Sequence, residues 1–185
     1  MKSGTWTKVS IMAGVIAAVI ALNDAAFAGT VKGSKAGTFS TANFSFDGAG
    51  PGLMAIYTGC DNIDGPFNNQ RITEASVGTG MCTAPDGSAG TPFVPVYQIE
   101  VTTYHQGQLY SGGAAGSYCA SNTTGSVGAT LRFSVFGGTG KFTHASGSIT
   151  QKYTCQTLAA GQAAPNGSLA LFGGCQVTIT GSVSD

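Results

Sequence analysis

Charge is what this chain lacks most: charged residues make up only 9% of it, with eight Lys and Arg balanced by eight Asp and Glu. After the N-terminal 28 residues, six basic side chains face seven acidic ones. Such a balance offers no basic face, which excludes nucleic acid or an anionic membrane surface as the expected partner. Tryptophan is nearly absent, its one copy being Trp6, and the two histidines, His105 and His144, each stand beside an expected turn. No C-x-x-C or H-x-x-x-H spacing occurs, so no metal site is expected. No helical periodicity of any length appears after residue 28, and no cofactor motif can be read.

What the chain does have is glycine, 29 residues of it, with abundant Ser and Thr between short alternating runs. In residues 127–135, Val127, Ala129, Leu131, Phe133 and Val135 alternate with Gly128, Thr130, Arg132 and Ser134. Ile149, Gln151, Tyr153 and Cys155 repeat the pattern against Thr150, Lys152 and Thr154. A period of two marks half-buried strands, because successive side chains point to opposite faces of a sheet. Further strands are expected at 38–46, 53–58, 71–77, 93–104, 108–111, 117–122 and 177–184, with residues 29–37 as a loose lead-in and 78–92 as a long loop. The fold class is therefore all-β, an antiparallel barrel of about eight strands, with a β-sandwich as the alternative.

The N-terminus reads as an export signal. Lys2 and Lys8 precede the apolar run Val9–Leu22, and Ala26-Phe27-Ala28 supplies a small-x-small cleavage site. The run is too short to span a bilayer comfortably. The expected organisation is a signal peptide at 1–28 and a single barrel domain at 29–185, secreted or periplasmic, with no membrane contact after cleavage. Cys60, Cys82, Cys119, Cys155 and Cys175 then lie in an oxidising compartment, where two disulfides and one remaining thiol are expected. Several pairings are open; Cys60–Cys82 and Cys155–Cys175 are the expected pair, each closing a loop of about 20 residues.

Between the two clearest strands lies Phe136-Gly137-Gly138-Thr139-Gly140-Lys141-Phe142-Thr143-His144-Ala145-Ser146-Gly147-Ser148. As a phosphate loop it fails, with Val135 where a glycine is required and Phe142 where Ser or Thr must follow the lysine. It resembles instead the GGTGRF-x-x-A-[ST]-G hairpin of the allene oxide cyclase and dirigent β-barrel superfamily, with Lys141 in place of the usual arginine. The resemblance covers about residues 125–155 and implies a hairpin joining neighbouring strands of an eight-stranded barrel. The matched positions are structural, so it implies a fold and places no catalytic residue.

Candidate chemistry is sparse. Glu100, Arg132 and Lys152 alternate with apolar residues and are expected to face solvent; Glu74 is an isolated carboxylate. The turn Asp61-Asn62-Ile63-Asp64-Gly65 has an acidic look but departs from a calcium-binding loop at Ile63 and Gly65. Phe44, Phe46, Tyr97, Phe133 and Tyr153 are expected to project inward, and Gln151 shares their face. Gln151, Tyr153, Phe133 and Tyr97 are thus the candidate ligand-contacting residues. Three functions follow: a structural or interaction protein capable of self-association, which leads; a module binding a small apolar ligand; and an enzyme of the allene oxide cyclase or dirigent type.

Overall fold

The computed structural model describes residues 28–42, 52–157 and 172–185. Residues 1–27 of the expected signal peptide, Phe44 and Phe46 lie outside the described residues. Nine strands follow in order: β1 (Ala28–Ala42), β2 (Gly52–Asp61), β3 (Gly65–Val77), β4 (Cys82–Thr83), β5 (Ala89–Tyr104), β6 (Gly107–Ser121), β7 (Ser126–Gly138), β8 (Ser146–Thr157) and β9 (Phe172–Ser184). Every pairing is antiparallel, and all but two join strands that follow each other in the chain. β3 pairs past the two-residue β4 with β5, and β9 returns to β1, where Ala28 stands opposite Ser184. The result is a closed eight-stranded up-and-down barrel with β4 as an extra strand on β5. Closure leaves the main ladder without a free edge, so backbone polar groups are satisfied irrespective of which side chains face inward.

The strands are longer than the alternation of apolar residues suggests. Residues 29–37 belong to β1 rather than to a lead-in, and the polar stretch 65–70 belongs to β3. The two short segments at 108–111 and 117–122 merge into β6, with register shifts at Tyr110/Ser111 and Gly112/Ala115. The Gly78–Pro92 loop is shorter than expected, because Cys82 and Thr83 pair back onto Gly90 and Ala89.

The glycine-rich hairpin closes one end of the barrel. A single 3₁₀ turn, Gly140–Phe142, drops Phe142 into the interior. Phe142 stacks on Tyr104 at 5.1 Å, and Tyr104 on Phe67 at 5.4 Å. Val31, Ile63, Leu109, Val135, Ile149, Ile179 and Val183 complete this plug. At Gly138 a Cβ would stand 1.9 Å from Gln108 O and 2.8 Å from Phe142 Cβ, and Gly140 adopts φ +59°. Only glycine lets the turn fold this tightly over the plug. The acidic turn anchors the same end: Asp61 Oδ1 accepts from Ile63 N at 2.9 Å, Tyr104 Oη donates to Asp61 Oδ2 at 2.5 Å, and Lys141 Nζ pairs with Asp64 Oδ1 at 3.0 Å.

The disulfides are Cys155–Cys175 and Cys82–Cys119, which corrects the expected Cys60–Cys82 bridge. Cys155 and Cys175 face each other across β8 and β9. Cys82 and Cys119 lie on strands flanking β5 and bridge over Gly90, where a Cβ would crowd Cys119 Sγ at 2.9 Å. Cys60 sits near the plugged end, the length of β3 away from Cys82, and is free and exposed. Loops of 37 and 20 residues are closed, and each closure contributes about 3–4 kcal/mol by the chain-entropy argument. Alkylation of the unreduced protein is therefore expected to label Cys60 alone, with peptide mapping recovering the 82–119 and 155–175 links; a labelled Cys119 contradicts this fold. Gly138→Ala is expected to lower unfolding free energy by about 3 kcal/mol through overpacking, read as a shifted denaturation midpoint.

Candidate functional site

β5 places its alternating residues with the opposite phase from that expected. Gln98, Glu100 and Thr102 are buried in the lumen, while Tyr97, Ile99 and Val101 face outward, Tyr97 being 41% exposed. The same inversion holds in β3, where Asn69, Arg71 and Thr73 point inward and Gln70 and Ile72 outward. Glu100 is thus not a solvent-facing residue. Arg132 and Lys152 are exposed as expected, and Glu74 is fully buried.

The inward charges converge at mid-barrel. Lys35 on β1 forms an ion pair with Glu100, Nζ to Oε2, at 2.9 Å, and its Nζ also donates to Asn69 Oδ1 at 2.9 Å. Asn69 Nδ2 donates to Thr102 Oγ1 at 2.8 Å. From β8, Gln151 Nε2 donates to Glu100 Oε1 at 2.7 Å, and Tyr153 Oη donates to Gln151 Oε1. Arg71 on β3 donates from Nη2 to Tyr57 Oη at 2.8 Å. The rings of Tyr153, Tyr57 and Tyr118 surround its Cζ at 4.6, 5.3 and 6.0 Å. Gln98 Nε2 donates to Tyr118 Oη at 3.2 Å.

Burial pulls the Lys35 ammonium down to about 8, with Arg71 pushing the same way and Glu100 resisting. Burial also works against the Glu100 carboxylate, but Lys35 and Arg71 outweigh it and hold it below its ordinary range. Tyr57 is pushed up to about 12 by burial, and Tyr153 well above its usual value for the same reason. At neutral pH the lumen therefore holds a charged Lys35–Glu100 pair, a permanent guanidinium and protonated phenols. Such a set can hold or orient a polar group.

Of the four candidate ligand-contacting residues, Gln151, Tyr153 and Phe133 share the lumen, and Tyr97 stands outside the wall. Arg71, Lys35, Gln98 and Asn69 were missed because nothing in a single strand's alternation says which of its two faces is inside. His105 and His144 are exposed at turns.

The outer wall of β2, β3 and β5 mirrors this inversion. Met54, Ile72 and Ile99 stand on one continuous rung, and Ile56 is exposed on the next turn of β2. With Val101 they line a hollow of about 190 Å³. Val94 and Val96 are exposed further along β5. Every charged residue of these three strands, namely Asp61, Arg71, Glu74 and Glu100, is buried.

Comparison with known proteins finds no matching family model, no matching curated protein and no matching solved structure.

Removing one partner of a buried pair strands the other charge, and Glu100→Gln is expected to cost about 3–5 kcal/mol. The pH dependence carries its own sign. Glu100 lies low in the folded state, so its stabilisation is complete above the ordinary carboxylate range and is lost on acidification through it. Lys35 also lies low, so its share of stability grows as pH rises from about 8 toward 10.5. In Glu100→Gln the acid loss shrinks, while Lys35 falls further and stability starts to climb already across neutral pH. Adding Lys35→Met to Glu100→Gln recovers more than half of the loss. Chemical denaturation at several pH values checks all three expectations.

Proposed function

We propose that the protein is an exported interaction module that assembles with further copies of itself through the outer face of β2, β3 and β5. The observation that carries this reading is the inversion of that wall, with its charges inside and Met54, Ile56, Ile72, Ile99 and Val101 outside. Interface cores are depleted of charge in this way, and exposed apolar patches on small domains are usually contact sites. A face without charge has no electrostatic preference for a foreign partner, and it is complementary to another copy of itself. Near-zero net charge removes the repulsion between copies. Two disulfides suit an oxidising, extracellular or periplasmic location.

The buried carboxylates favour a second reading. Glu74 and Glu100 are buried, and Glu100 faces the lumen, as an enzyme of the allene oxide cyclase or dirigent type would need for acid–base chemistry on a bound substrate. A lumen lined by charges and amides is better matched to a polar group than to an apolar ligand.

Sedimentation velocity on the oxidised protein carrying Cys60→Ser, which removes disulfide exchange, tests the first reading. An oligomer is expected, and Ile56→Lys or Ile99→Lys is expected to dissociate it while Lys152→Glu, on a different wall, leaves it intact. A monomer at every accessible concentration overturns the assembly reading.

A further inference from the structure

Only two methionines follow residue 28, Met54 and Met81, and the fold places them in different settings. Met81 lies in the connection from β3 to β4, next to Cys82, and is 78% exposed. Met54 lies on β2 and is 46% exposed, with Ile72 and Ile99 beside it on one rung. It lines the outer hollow together with Ile56 and Val101. Its thioether therefore stands within the charge-free face of β2, β3 and β5.

Ile56, Ile72, Ile99 and Val101 are hydrocarbon, and the nearby Gln70 amide does not react with peroxide. A thioether does react, because its sulfur carries lone pairs that a hydroperoxide oxidises. In that step the sulfur attacks one peroxide oxygen, the O–O bond breaks and an S–O bond forms. The sulfur gives up two electrons. The departing oxygen takes the proton of the transferred one and leaves as water, or as an alcohol from an organic hydroperoxide. The product, methionine sulfoxide, is polar, and its oxygen is a hydrogen-bond acceptor. Water satisfies that oxygen on the free protein, and most of this solvation is lost between two apolar faces.

We propose that Met54 is an oxidation site whose sulfoxide releases the copies of this protein from one another. The proposal rests on assembly through the β2, β3 and β5 face. On the free protein the thioether is open to peroxide, whereas in the assembly a second copy covers it. Oxidation thus acts on the dissociated protein and keeps it dissociated, coupling assembly to the peroxide level around it. Cys60 is also exposed on β2, nearer the plugged end, so its thiol is removed in the test.

The disulfide-bonded protein carrying Cys60→Ser is treated with hydrogen peroxide, then followed by sedimentation velocity and by mass mapping of both methionines. Before treatment an oligomer is expected. In concentrated, assembled protein Met54 is expected to oxidise several-fold more slowly than in dilute protein, while Met81 keeps one rate. Once Met54 is converted, the dissociation midpoint is expected to rise about tenfold or more, as burial of an unmet polar group requires. Met81→Leu, which leaves Met54 as the one thioether after residue 28, is expected to respond in the same way. Met54→Leu is expected to show no shift on treatment, whatever its own midpoint. An oligomer that persists with Met54 fully converted overturns the switch and leaves the assembly reading standing. A shift of equal size in Met54→Leu overturns the assignment to this residue. A monomer before any peroxide is added overturns the assembly reading itself, and the switch with it.

Discussion

Glu100 ties three walls of the barrel together. Its two carboxylate oxygens receive Lys35 from β1 and Gln151 from β8, while its backbone holds the β5 rung between Arg71 and Ser111. Gln151 passes the connection to Tyr153, and Lys35 passes it to Asn69 and Thr102. A buried carboxylate is costly unless each oxygen is answered, and here the answers come from separated strands. The positions of β1, β5 and β8 are thereby coupled across the lumen, where a purely apolar filling would be non-directional.

That network explains why one wall is turned inside out. β3 and β5 carry alternating residues whose polar members, Asn69, Arg71, Thr73, Gln98, Glu100 and Thr102, are spent on the lumen. Strand geometry then leaves Ile72, Ile99 and Val101 nowhere to go but outward. The apolar outer face and the charged interior are two consequences of a single phase. Across the barrel the phase is conventional, with Leu131, Phe133, Tyr153 and Val177 inside and Arg132 and Lys152 outside. The lumen is therefore apolar along β7–β9 and ionic along β3 and β5.

Fold class was legible in the sequence because alternation and turn chemistry are local. The spacing of Val127 to Val135, the run around Ile149 to Cys155, and the glycines at 137, 138 and 140 each carry their meaning within a few residues. The Cys155–Cys175 bridge was legible too, since both cysteines sit on inward positions of sequential strands. Cys82–Cys119 was not, because it depends on a two-residue strand and on a glycine beneath the bridge. The candidate site was half legible. Gln151 stood out as an amide on an apolar face, whereas Glu100 and Arg71 stood among polar residues on strands whose apolar face looked like the core. Which face turns inward is settled by the registers of β2–β3 and β3–β5 together, which no single strand encodes.

The charges in the lumen are not what makes this barrel fold. The ladder is closed, the plug of Phe67, Tyr104 and Phe142 seals one end, and two disulfides restrain the unfolded chain. An apolar lumen would serve stability at least as well, since buried ion pairs rarely outdo well-packed hydrophobic residues of the same volume. A chain with so few charged residues has nonetheless placed Lys35, Arg71, Glu74 and Glu100 where desolvation is most costly. Stability alone does not account for that placement. What the placement supplies is direction, since Lys35 and Gln151 meet Glu100, and Tyr57 meets Arg71, each from a different strand.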